Sequence, residues 1–170
     1  MPGNKRERVP ERFQDMLDFV EALRNEGDRA AVITGAAYID AFLTEVLEHF
    51  FVNDPEVVGP LLGGWGAFAS FGARVRLAYC LGLINQQELD DLQTIQSIRN
   101  QFAHTFAALD LSEPALAAKC LQLSHVEPER FPSPRDHFLF VIWSYAANLG
   151  MRAHEVERRR ILKGKYRRPG

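Results

Sequence analysis

Only two cysteines, Cys80 and Cys120, occur in 170 residues. Neither belongs to a C-x-x-C pair or to a Cys/His spacing that would hold a metal. His49, His125, His137 and His154 show no H-E-x-x-H or comparable spacing either. A disulfide scaffold and a zinc module are therefore not expected, and no metal or cofactor is implied. The two thiols read as small buried hydrophobes in a reducing, cytoplasmic setting. No apolar run reaches about 18 residues, so a membrane span is not expected. The polar stretch from Met1 to Arg12 is followed by no secretory apolar region. Low-complexity linkers, internal repeats and strands of period-two alternation are absent as well. That leaves a single all-α domain over residues 1–170.

What is present is ordinary for a globular chain, with 46% hydrophobic and 25% charged residues. The charge is unevenly spread. Residues 152–170, a basic helix end and tail, hold eight Lys/Arg against two Asp/Glu, and the rest of the chain holds 12 against 20. Such a tail on an acidic body fits two readings. It is a local polyanion contact, or a solvated helix end whose cations complement the macrodipole.

Apolar spacing predicts helices at about 11–25 and 29–51, with Gly27 as a stop and Asp28 as a cap. A short helical turn follows to Leu62. Further helices are expected at about 68–83, 86–106 and 134–162, with a short one before Leu123 capped by Ser112. The sum is about five main helices plus short ones. Asn85 and Glu88 form a capping-box-like start for the 86–106 helix. Gly59, Gly63, Gly64 and Gly66 bracket Trp65 without the spacing of a phosphate loop, so a close-packed turn is favoured over a nucleotide cradle. Trp65, Trp143 and Tyr145 read as packing anchors. Asp90-Asp91 reads as helix N-terminal charge instead of an acid/base pair.

The chemical signal lies in Arg99-Asn100-Gln101-Phe102-Ala103-His104. It combines a permanently charged fork, an amide and a group titrating near neutrality. Leu89, Leu92, Ile95, Phe102 and Phe106 mark the expected apolar stripe, with Arg99 falling on it. Asn100 and His104 lie one turn apart, whereas Arg99 and His104 are about 140° apart around the helix. Arg99 and His104 could converge only across a groove, such as one made with a second copy of the helix. The bland alternative pairs Arg99 with Asp91 or Glu45 and leaves His104 beside helix-end carbonyls.

The Arg-Asn-x-x-Ala-His pattern resembles the motif of the HEPN superfamily, in which an arginine precedes a histidine by a few residues. The segment from about Asp28 to Leu123 also resembles the mannitol operon repressor family. That second likeness rests on Phe71-Gly72-Ala73-Arg74-Val75-Arg76-Leu77-Ala78-Tyr79-Cys80-Leu81-Gly82-Leu83-Ile84 and on Asp91 to Asn100. The resemblance implies an HEPN-like helical bundle and a two-fold homodimer. It implies a metal-independent endoribonuclease, a toxin or defence effector acting on single-stranded RNA. His104 would move the proton of the ribose 2′-OH or the leaving oxygen, Arg99 would stabilise the phosphorane, and Asn100 would orient either. Products would carry 2′,3′-cyclic phosphates. Arg158, Arg159, Arg160, Lys163, Lys165, Arg167 and Arg168 would hold the RNA backbone. An antitoxin or regulatory protein is the further partner implied. Some superfamily toxins carry a tyrosine two residues past the histidine, and Phe106 stands there instead. The alternative is a transcriptional regulator that works through protein partners or non-classical DNA contact, since no basic recognition helix is evident.

Overall fold

The computed structural model describes residues 11–124 and 128–164. Among them lie seven α-helices and a 3-10 turn at Pro128–Arg130. In chain order these are α1 (Glu11–Arg24), α2 (Asp28–Phe50), α3 (Pro55–Leu62), α4 (Phe71–Cys80), α5 (Gln86–His104), α6 (Pro114–Leu121) and α7 (Pro134–Gly164). α2 and α7 make the central pair of the bundle. α4 and α5 pack on α2 and on each other, while α1 and α6 pack on α7. Gly35 lets α2 approach α7 closely, since a Cβ there would lie 3.3 Å from Ile142. Ala31, Val32, Ile39, Leu43, Val46 and Leu47 of α2 are buried against Phe138, Ile142 and Tyr145 of α7.

α2 is long and apolar enough to cross a membrane by length and composition alone, although Asp40 and Glu45 interrupt its apolar run. Half of that stretch is buried inside the bundle, as a central helix flanked on several sides requires.

Local signals set most helix ends. Ser70 accepts from Ala73 N at 3.2 Å and starts α4 at Phe71, three residues later than expected. Gly82, at φ +68°, ends it. Leu83 N donates to Ala78 O and Gly82 N to Tyr79 O, a left-handed C-terminal cap. Asn85 and Glu88 form the full capping box of α5. Ser133 Oγ accepts from Asp136 N at the start of α7.

Two caps differ from expectation. Asp28 is not the N-cap of α2; its carboxylate takes Leu111 N at 2.7 Å and pairs with Arg135. Arg135 also donates to the carbonyls of Leu23 and Glu26, closing the end of α1. Ser112 does not cap α6, which starts after Glu113, and Ser112 N instead donates to Asp110.

The cysteines part company. Cys120 is buried, and burial followed by the nearby Asp28 charge pushes its thiol up to about 12. Cys80 is exposed, because the last turn of α4 presents it to solvent. A thiol-reactive disulfide reagent is therefore expected to titrate one thiol per native chain and two in denaturant. Rapid native reaction of both would contradict this placement.

Candidate functional site

α5 buries Glu88, Asp91, Leu92, Ile95, Ile98 and Phe102. Arg99 falls within the angular span of that face, roughly 45° from its centre, yet it is exposed, because its long side chain opens on a depression between α2 and the start of α4. Its guanidinium donates to Asn100 Oδ1 at 3.1 Å. Asp91, offered above as a partner for Arg99, is committed elsewhere. It accepts from Tyr145 Oη at 2.8 Å and from Ser124 Oγ at 2.5 Å. Asp90 points the other way, accepting from Gln86 at 2.9 Å.

α5 ends at His104, two residues before the expected limit. Arg29 of α2 is the cause. Its guanidinium donates to Phe102 O, to Thr105 O at 2.7 Å and to Ala107 O at 3.0 Å, so the chain turns away around it. Phe106 consequently leaves the stripe and is wholly exposed. His104 is exposed as the last helical residue, with no hydrogen bond to a described side chain.

Two depressions lie on either flank of α5. One, of about 380 Å³, runs between α2 and the start of α4 and takes in Ser70, Phe71, Gln96, Arg99 and Asn100. The other is more open, about 630 Å³, and takes in Gln93, Ser97, Asn100, Gln101 and His104. Asn100 and Gln96 belong to both. Arg99 and His104 therefore face separate depressions within one chain, as their helical spacing requires. Gln96 is set by Gly72 of α4, where a Cβ would come 2.5 Å from its amide.

An ion pair not foreseen from sequence borders the first depression. Arg74 Nε and Nη2 donate to the two oxygens of Asp40 at 2.8 and 2.5 Å. Its Nη1 donates to Leu62 O, Phe68 O and Ala69 O. Arg74 is buried and its donors are engaged, so it shapes the site without offering charge to a ligand. A signal existed, because Asp40 is the one charged residue between Arg29 and Glu45. A lone charge on an apolar helix calls for a buried partner.

Arg158, Arg159 and Arg160 lie far from the motif. Arg158 is exposed, Arg159 pairs with Glu155 at 2.5 Å, and Arg160 donates to Glu48 O at the end of α2. Arg29 and Glu48 are separated by roughly 28 Å of helix. The motif and Arg158 to Arg160 thus occupy opposite ends of the bundle. The side chains of Lys163, Lys165, Arg167 and Arg168 lie outside the described residues.

His49 makes a 3.1 Å hydrogen bond with Ala153 O, and His137 is buried against Phe131. His125 lies outside the described residues. No three His, Cys, Asp or Glu side chains form a metal-ligand group among the described residues. Of the three expected aromatic anchors, Tyr145 is buried and Trp143 half-buried, but Trp65 is fully exposed.

The family model described as "Mannitol repressor" matches residues 16–140, from α1 into the start of α7. Two curated proteins called "Mannitol operon repressor" share 37% identity with this chain over 62 residues. They come from Escherichia coli K12 and from Escherichia coli O6:H1 strain CFT073. The matched part is 35% of this chain and 32% of theirs, so it spans about a third of those relatives' length. A chain in the X-ray structure of the MtlR–HPr complex from Escherichia coli has the same fold, with a TM-score of 0.59. That alignment covers 85% of this chain and 98% of the other at 18% identity.

Proposed function

The chain belongs to the mannitol repressor family, and from that footing we propose that it is a regulatory protein that acts by binding a protein partner. The observation that carries this reading is the solved relative of the same fold, which was crystallised with HPr. The surface chemistry supports it. A recognition helix in the major groove needs bases facing the phosphates. α5 follows α4 through a short turn but carries Glu88, Asp90 and Asp91 against Arg99 alone. Its outward face, Gln93, Gln96, Ser97, Asn100 and Gln101, carries no base, and Asp90 adds an acid to it. Such a face suits contact with a protein better than contact with a phosphate backbone. Control of transcription would then pass through the partner or through the basic end of α7.

HPr from the genome that encodes this chain is the first partner to test. Isothermal titration calorimetry is expected to give a saturable complex in the micromolar range or tighter. Absence of measurable heat together with absence of a complex on gel filtration would overturn the reading. The ribonuclease expectation receives no support from these relatives. Wild type and His104→Ala are accordingly expected to leave single-stranded RNA equally intact in EDTA. Cleavage by the wild type that His104→Ala abolishes would reinstate Arg99, Asn100 and His104 as catalytic residues. Arg158, Arg159 and Arg160 would then have to hold the RNA from a second subunit, given their distance from His104.

A further inference from the structure

We propose that Trp65 is the anchor by which this chain grips its protein partner, seated in an apolar pocket with a basic rim. The inference rests on the partner-binding reading and says where that contact is made. Trp65 is 105% exposed, so its whole indole stands in water. An indole is the largest apolar side chain, and leaving it outside the core forgoes a large burial term. Val57, on the preceding α3, is also 61% exposed.

The turn that displays Trp65 is held firmly. Gly64 has φ +58°, and a Cβ on Gly66 would lie 2.1 Å from Pro60 O. Gly66 N donates to Gly63 O at 3.0 Å, and Phe68 N reaches back to Leu61 O at 3.1 Å. Arg74 then binds carbonyls on both sides of the turn, Leu62 O before it and Phe68 O after it, while Asp40 holds Arg74. A buried ion pair thus stabilises a turn whose tip buries nothing in its own chain. The ordering cost that weakens most loop contacts is met before a partner arrives. Exposed tryptophans on such ordered elements are the residues that dominate protein interfaces.

Charge selects the kind of partner. No Lys or Arg occurs between Arg29 and Arg74, and Arg74 is neutralised by Asp40. On α3 and its cap the ionisable residues are Glu56 and Asp54, both exposed carboxylates; Arg160 of α7 borders the same flank beside Asp54, but Glu48, Asp54 and Glu56 together outweigh it. An anionic lipid surface would be repelled here, whereas a protein pocket rimmed by Lys or Arg would be drawn in.

The test uses the full chain and HPr in the titration above. Trp65→Ala is expected to weaken binding about 30-fold or more. Glu56→Lys should weaken it several-fold and flatten its salt dependence. Met151→Ala, which removes a 53% exposed apolar side chain on α7, should leave it unchanged. Equal affinity of wild type and Trp65→Ala would overturn the inference while leaving the partner-binding reading intact. No binding by wild type would overturn both. Co-sedimentation with phosphatidylglycerol vesicles that depends on Trp65 would show a lipid contact and also overturn it. Unchanged thermal melts of the variants would confirm that binding, not folding, was altered.

Discussion

Asp40→Ala is expected to destabilise this protein by about 3–5 kcal/mol, because it leaves the Arg74 guanidinium buried without its counter-ion. The Arg74 and Asp40 side chains are 10% and 23% exposed, and both ends of the fork meet the carboxylate. The three carbonyls on Nη1 remain, but dipoles do not replace a charge in a poorly hydrated site. Urea or guanidinium unfolding checks the magnitude. Limited proteolysis checks the location, since cutting near residues 62–68 should accelerate before global unfolding. Glu155→Ala is the contrast. It removes a pair whose side chains are 70% and 59% exposed, and its effect should stay below about 0.5 kcal/mol. An Asp40→Ala loss as small as that of Glu155→Ala would show that Arg74 finds water on its own.

Asp91→Ala is the second large effect, about 3 kcal/mol. Asp91 is buried on α5 and collects Tyr145 Oη from α7 together with Ser124 Oγ and, at 3.3 Å, Ser124 N beyond α6. The carboxylate therefore ties together three segments, α5, α7 and the chain beyond α6. Burial, with the nearby Asp91 charge second, pushes the Tyr145 phenol upward, so it stays a neutral donor at every physiological pH. Tyr145→Phe should cost less, about 1–2 kcal/mol, since it removes one donor and leaves Asp91 with Ser124. The double variant should be less destabilising than the two losses added, because the shared hydrogen bond is counted once. Strict additivity in denaturant unfolding would rule out this coupling.

The local features were legible because their causes lie within a few residues. The Asn85–Glu88 box, the Ser133 start of α7 and the separation of Arg99 from His104 all follow from i→i+3 chemistry and helical pitch. The glycine-rich segment read correctly as a close-packed turn for the same reason, and Gly66 shows the contact that demands it. The all-α class followed from periodicity alone, and family membership from the residues of α4 and α5.

Other features depended on partners distant in sequence. The end of α5 carries no stop signal of its own; Arg29, more than 70 positions earlier, sets it by claiming three carbonyls. Phe106 and Cys80 sit where an apolar pattern would bury them, yet a displaced helix end and an outward last turn expose both. Arg74 and Asp40 lie 34 residues apart, and only the packing of α4 on α2 brings them together. The distance between the motif and the basic end of α7 is likewise a product of how α2, α5 and α7 align.

The sequence by itself therefore determined which segments are helical, where most of them begin, and which residues carry polar chemistry. Each of those depends on interactions within a turn or two of one helix. The tertiary structure alone decided which of those residues are spent on the fold, as Arg74, Asp40 and Asp91 are. It also decided which stand exposed, as Trp65 does. Burial and charge pairing are settled by neighbours that come close only when the bundle closes.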